Sequence, residues 1–357
     1  MKKSNLRIAG FISLIIVMAA CNKASNNSTG GNTATVETTV IKDFVNNVAL
    51  SQYSNLTNAA VSLNGTITTL NSSPTTANLV AAQASWKNMR TVWEQCEGYL
   101  FGPVEDNDYD PNTDTWPTDY TQLDSLLASS NALQVADVAN LAQSLRGYHP
   151  LEYVIFGHGD GRTAAQLTPR LMQYAVSLSG DVLYNNVQPL YQSWTSAPSN
   201  YAQQILTAGS GSIKFPKRQD LFLAIVGAMS DICNEVGTEK MCDAYINKDS
   251  TITESPYSAN TLIDFKNNIV GLQNVYLGLN GGTGIKDLVA SQNKNLDNQI
   301  QTQITSAINS FSNITESYEK AIFDQRPQIQ QTMTQLAALK KLLDNDLTNF
   351  VVQYVKD

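Results

Sequence analysis

Apolar residues recur three and four positions apart along most of this chain, and that spacing constrains the fold more than any other feature. Val40, Phe44 and Val48, then Tyr53, Leu56, Ala60 and Leu63, trace one face of a long first helix, with an interruption or bend expected near Gly65. Ser73-Pro74-Thr75 marks a second start. Trp86, Met89, Trp93, Cys96 and Leu100 then share a stripe on a helix running over residues 79–100. Phe101-Gly102-Pro103 closes it, with Gly and Pro standing where helices stop. Residues 104–120, rich in acid and proline, read as a loop. Further helices are expected over 123–145 (one or two), 169–194, 220–245, 260–278, 285–311 and 327–355. No segment alternates apolar and polar residues between hairpin turns, so the fold class is all-α. A chain this long exceeds one small core, which predicts two helical-bundle halves, 35–205 and 206–357. The Ala197-Pro198-Ser199-Asn200 and Ala208-Gly209-Ser210-Gly211-Ser212 runs mark the hinge between them.

The N-terminus carries a different signal. Lys2, Lys3 and Arg7 precede an apolar run, Ile8 to Ala20, too short to span a bilayer, which needs about 20 residues. A basic start, an apolar middle and small residues at the end form a signal peptide over 1–20. Met18-Ala19-Ala20-Cys21 resembles a bacterial lipobox, which predicts lipidation of Cys21 and a membrane held through that lipid. Residues 21–34, dominated by Asn, Ser, Thr and Gly, read as a flexible tether. The expected location is the cell envelope, at the outer membrane and facing the periplasm. Removing residues 1–20 takes away three bases and no acid, moving the net charge from −8 to −11. An acidic body with no basic stripe argues against nucleic acid as a partner. Beyond Leu221 to Met229, itself half the needed length, no later segment reads as a membrane span.

Cys96, Cys233 and Cys242 remain, an odd number and no disulfide framework. Cys233 and Cys242 lie about 13 Å apart along one predicted helix, beyond disulfide reach. Histidine is scarcer still, with only His149 and His158, so a three-histidine zinc site is excluded. His-Glu-x-x-His, Gly-x-Ser-x-Gly and the phosphate-cradling Gly-x-x-x-x-Gly-Lys loop are absent, and Gly281-Gly282-Thr283-Gly284 reads as a turn.

Four clusters remain as candidates for chemistry. In Arg146-Gly147-Tyr148-His149-Pro150-Leu151-Glu152, Pro150 suits a first helical turn, which would put His149 at the N-cap and Glu152 on the same side. An imidazole and a carboxylate so placed suit a metal, although a first-turn capping pair has the same spacing. His158, within a glycine turn, reads as a surface histidine. Arg90 and Glu94 stand four apart as a surface pair would, whereas Glu97 follows Trp93 onto the apolar stripe as a partly buried acid. Asp106 to Asp114 looks like a calcium loop but has Pro111 at position six and Pro117 at position twelve, so a solvated acidic turn is expected. In Glu254 to Asn268, Ser258 or Asn260 would cap the following helix and Asp264 stands ready as a ligand.

Taken together these segments resemble the imelysin family, whose Gly-x-His-x-x-Glu pattern is matched by Gly147, His149 and Glu152. Trp93-Glu94-Gln95-Cys96-Glu97-Gly98-Tyr99-Leu100-Phe101-Gly102-Pro103 with the later Asp110 to Pro117 run resembles lipoprotein members, and Glu254 to Ile269 resembles the second half. The resemblance runs through most of residues 38–350. It implies a cleft shared by the two halves, lined by His149, Glu152 and acids from the other blocks, with Arg90, Trp93, Gly147 and Ser258 around it. The metal ligands expected are His149 and Glu152, joined by Glu97, Glu254 and Asp264. Such an oxygen-rich set suits iron, manganese or calcium better than a thiolate-seeking metal. Because family members include iron-regulated proteins and part of a periplasmic iron-uptake component, the expected role is iron binding in iron acquisition, beside other envelope iron-uptake proteins. Two other readings stand: a metal-dependent peptidase, disfavoured by the shortage of histidine, and a partner-binding lipoprotein with no chemistry.

Overall fold

The structure, a computed structural model, describes residues 30–356; the segment expected as a signal peptide, Cys21 and the first part of the expected tether lie outside the described residues. Every regular element among those described is a helix. The ones that build the site are α1 (Gly30–Asp43), α2 (Leu50–Ser72), α3 (Thr76–Cys96), α4 (Tyr109–Asp114), α5 (Tyr148–Phe156), α6 (Pro169–Asp181), α7 (Arg218–Asn234), α8 (Met241–Asn247), α9 (Thr261–Leu277), α10 (Lys294–Ser310) and α11 (Arg326–Lys341). Helix α1 reaches five residues back into the segment expected as tether.

The first helix is interrupted, but not at Gly65. A π-turn, Phe44–Ala49, joins α1 to α2, and α2 passes unbroken through Gly65. A glycine inside a helix costs only about 0.5–1 kcal/mol against alanine, too little to break a helix whose Leu56, Leu63 and Leu70 are all buried. A π-turn inserts one residue and rotates the helix beyond it, a feature common at functional sites. Three more interrupt long helices: Val182–Val187 after α6, Glu235–Lys240 between α7 and α8, and Leu342–Leu347 after α11.

Helix α3 starts as its sequence dictates, with the Thr75 hydroxyl accepting from the Asn78 N–H at 3.2 Å. It buries Leu79, Ala82, Trp86, Met89, Trp93 and Cys96, where truncating either tryptophan would cost about 3–5 kcal/mol. It ends at Cys96, and Glu97–Tyr99 tighten into a 3₁₀ turn. That turn crosses α9 at contact distance: a Cβ on Gly98 would lie 2.4 Å from the Gly271 carbonyl carbon, and one on Gly271 2.2 Å from the Gln95 oxygen. Helix α3 packs against α2 on one side and α9 on another, α10 packs on α11, and buried apolar side chains from Val40 to Val355 form one core.

Four expectations change here. The 104–120 segment is not a plain loop but holds two short helices, Pro103–Asp106 and α4. The hinge segment contains a helix, Tyr201–Leu206, and a further helix, Tyr318–Asp324, precedes α11. The 285–311 segment is two helices, broken where the Asn293 side chain accepts from the Leu296 N–H at 3.0 Å. Finally, the continuous Arg218–Asn247 helix is long and apolar enough to cross a membrane by length and composition, with an 18-residue window of mean hydropathy 1.3. Of that window 61% is buried inside the protein, and α7 packs on α11, so it is a core helix.

Candidate functional site

Helix α5 opens at Gly147, whose φ of 85° is the N-terminal cap position; His149 therefore lies in the first turn rather than at the cap. Gly147 is required twice over. Its φ favours glycine, and a Cβ there would sit 2.1 Å from the Thr113 carbonyl oxygen. That close approach brings the end of α4 against α5 and sets Asp114 beside His149, with Nε2 3.0 Å from Asp114 Oδ1 and 3.6 Å from Glu254 Oε1. Arg146 fixes the same junction: its guanidinium makes three hydrogen bonds of 2.8–3.0 Å to Asp181 on α6 and donates to Asn112 on α4 at 3.1 Å.

Arg90 is the centre of the cluster. It is fully buried and pairs with Glu94, with Asp114 and, at 2.8 Å, with Glu254, while its Nε is 3.9 Å from Asp264. The Arg90–Glu94 pair is thus not a surface pair, because the stripe that carries Met89 and Trp93 inward carries this flank with it. Asp114 also accepts from Trp93 Nε1 at 2.6 Å, so the acidic run read as a solvated turn in fact delivers a carboxylate only 2% exposed. Glu97 accepts from Trp93 Nε1 at 3.1 Å and from Asn268, which donates to Glu94 as well. From the second half, Lys240 reaches Glu254 at 3.2 Å and Glu235 at 3.0 Å. Its place on the π-turn makes it a site residue the sequence reading missed; the available signal was a lysine four residues beyond buried Val236.

The remaining candidates hold these groups in place. Glu152 Oε1 accepts from the Tyr257 N–H (3.1 Å), the Ser258 N–H (2.7 Å) and the Ser258 hydroxyl (2.7 Å), while Oε2 is 3.9 Å from His149 Nδ1. Ser258 is thereby spent on Glu152 and does not cap α9. Asn260 occupies the cap position but turns its amide onto Asp264 at 2.6 Å instead. Asp264 also accepts from the Ser255 hydroxyl at 2.6 Å. His158 is exposed, as expected, and lies apart from the cluster's ion pairs.

Charge decides what this arrangement can do. Six buried carboxylates, Glu94, Glu97, Asp114, Glu152, Glu254 and Asp264, face two permanent cations, Arg90 and Lys240, and one imidazole. Three negative charges remain uncompensated even with His149 protonated. Burial pushes Glu97 and Asp264 well above the usual carboxylate range and raises Glu94 too, against the pull of Arg90 on the last two. Burial would also raise Asp114, but Arg90 and then His149 hold it well below that range. Burial works to lower His149, yet Asp114 and Glu152 outweigh it and lift the imidazole to about 9. Protons on the acids, or a cation among them, must settle the excess.

The donor set fits a cation. Neither His149 ring nitrogen makes an aligned hydrogen bond, and Glu152 Oε2 is likewise buried and unpartnered. Two groups of three converge, Asp114 with His149 and Glu254, and Glu94 with Glu97 and Asp114, each with ligand atoms within 4.8 Å of one another. Glu152 and Asp264 fall outside both. A pocket of about 350 Å³, lined by Glu97, Asp110, Asp114, Glu235 and Lys240 among others, borders the second group.

Residues 49–345 match the imelysin family, peptidase M75. This chain belongs to the imelysin family. It is 28% identical over 330 residues to iron-regulated protein A of Synechococcus elongatus, covering 90% of this chain and 89% of the relative. A Parabacteroides distasonis crystal structure, described as an iron-regulated protein A precursor, superposes with a TM-score of 0.80 at 25% identity, covering 90% of this chain and 95% of that one. An imelysin-like protein from Psychrobacter arcticum shares the fold with a TM-score of 0.70 at 13% identity, covering 89% and 96% of the two chains. The Gly147-x-His149-x-x-Glu152 spacing acquires a physical meaning here: close backbone approach, a buried imidazole, and the carboxylate behind it.

Proposed function

We propose that this imelysin is a lipid-anchored envelope protein that binds a metal cation, iron foremost, at Asp114, His149 and Glu254. The observation that carries the reading is the buried charge excess around an imidazole whose nitrogens lack aligned partners. Glu94 and Glu97 extend the donor set through the shared Asp114. Glu152, pinned by Ser258, stands behind Nδ1, the position from which a carboxylate orients a ligating histidine and raises its basicity. Arg90 and Lys240 keep the acids gathered when no metal is bound. Oxygen donors with one nitrogen suit iron or manganese, and the name of the Synechococcus relative supports iron. A place beside other envelope iron-uptake proteins accords with that reading, and anchoring at Cys21 with the lipobox.

Elemental analysis of protein purified without a metal-binding tag tests the core of this proposal. Near-stoichiometric iron or manganese that is lost in both His149→Gln and Asp114→Asn is the expected result. Absence of metal, before and after titration of the folded protein, would sink it. Peptide cleavage by the loaded protein that a chelator stops would instead favour the hydrolase reading. Incorporation of a labelled fatty acid that Cys21→Ser abolishes tests the anchor.

A further inference from the structure

A second cavity, of about 430 Å³, opens beside Pro256 and Tyr257. Tyr120, Tyr153 and Tyr257 line it with His158, and two acids, Asp124 and Glu319, complete the wall. The three tyrosine rings meet one another at centroid distances of 5.1, 5.6 and 6.1 Å, in edge-to-face or tilted pairs. His158 meets the edges of Tyr153 and Tyr257 at 5.7 and 5.5 Å. Such a wall presents electron-rich aromatic surface to whatever enters.

Glu319 supplies the second observation. Its Oε1 accepts from the Thr261 hydroxyl at 2.6 Å and the Thr253 hydroxyl at 3.1 Å, which fixes the carboxylate. Its Oε2 is buried and has no hydrogen-bond partner. Among the described residues, no lysine or arginine lines the cavity. Arg162 lies over Tyr153, 5.7 Å from the ring, with its Nε and Nη2 donating to the Val154 and Tyr153 carbonyls, and Lys320 pairs with Glu316 and Asp324 at the surface. The cavity wall therefore carries two carboxylates, one of them with a buried and unpartnered oxygen, beside three aromatic rings, and no cation among the described residues that line it.

We propose that this cavity binds a small organic cation bearing a primary ammonium or a guanidinium on a short aliphatic stem. The stem would lie against the tyrosines, the charge is attracted by the rings, and an N–H is needed to satisfy Glu319. An anion meets two carboxylates, a neutral apolar molecule leaves Glu319 unsatisfied, and a quaternary ammonium has no hydrogen to donate. The volume is that of a small-ligand site. The inference does not rest on the metal reading, although Tyr257 serves both places: its N–H holds Glu152 while its ring lines this wall.

Titration calorimetry of the intact protein with agmatine and cadaverine tests it, with tetramethylammonium and 1-pentanol as comparison probes. Both amines should bind with Kd at or below about 1 mM, a range ordinary for small ligands. Tetramethylammonium should be at least about tenfold weaker and pentanol silent, because each lacks one half of the recognition. Glu319→Gln should weaken the amines at least about tenfold, and Tyr153→Leu, at a half-buried position, several-fold. Should Glu319→Gln fail to fold, Tyr153→Leu decides alone. Silence from both amines on the folded protein, equal affinity in the folded variants, or pentanol binding as tightly as cadaverine would overturn the proposal.

Discussion

Two buried arginines, Arg90 and Arg146, separate the supporting parts of this protein from its site. Arg146 faces a single carboxylate, Asp181, through a bidentate pair, and its remaining donor goes to Asn112 and the Ala139 carbonyl. Its charge is balanced one to one, and what it does is tie α6 to α4 and hold the start of α5. Arg90 is surrounded by Glu94, Asp114, Glu254 and Asp264, and its Nε has no hydrogen-bond partner. Both arginines are buried; their charge balance differs. A balanced pair locks a junction, whereas an excess of buried carboxylates requires protons or a cation and so can respond to one.

The sharpest way to break that comparison is to remove each guanidinium. Arg90→Met and Arg146→Met should each cost about 3–5 kcal/mol, since each strands buried charge. Only Arg90→Met should regain stability when manganese is added during urea unfolding, because only there do spare carboxylates converge. Equal responses of the two variants to the metal would erase the distinction. Next in size is Gly147→Ala, which places a Cβ 2.1 Å from the Thr113 oxygen at a φ of 85°. It should cost about 2–4 kcal/mol and release Asp114 from His149. Gly65→Ala, in open space on α2, should instead gain about 0.5–1 kcal/mol.

A smaller effect belongs to Asp110, at the acidic pocket. Burial, then the charge of Asp114, raises its carboxyl to about 7. The fold favours the protonated acid, so its contribution to stability is present below about pH 4 and is lost as the pH rises through 7. Asp110→Asn should therefore exceed the parent at pH 8 by on the order of 1 kcal/mol, after allowance for solvent screening, and show no gain near pH 4. A pH-independent difference in thermal unfolding would contradict it. The smallest effect is expected at exposed Lys320, which bonds Glu316 at 3.1 Å and Asp324 at 2.9 Å. Lys320→Ala should leave the melting temperature unchanged within error, as water already screens those charges.

Much of this was legible in the chain itself. The period of the apolar residues specified helices, the burial of Trp86, Met89 and Trp93, and the stop near Gly102. Short-range pattern also singled out Gly147, His149 and Glu152, since three residues on one turn fix their own relation. Local pattern misjudged Arg90–Glu94, whose spacing is identical on a surface or in a core. It also misjudged Asp114, because acids in sequence neighbourhood with proline look solvated whatever covers them. The π-turn that presents Lys240 left no mark in periodicity, since one inserted residue hardly alters the apolar spacing.

By itself, the sequence determined the class of fold, the long helical segments and the residue types available for chemistry, because these depend on spacing along one chain. The tertiary structure alone decided which charges meet. Glu254 is separated from Arg90 by 164 positions and from His149 by 105, and close contacts such as the Gly98–Gly271 crossing and the Gly147–Thr113 approach draw α3, α4, α5 and α9 into one buried cluster. Helix propensity acts over a few residues, whereas the balance of buried charge is a property of the volume where distant segments converge.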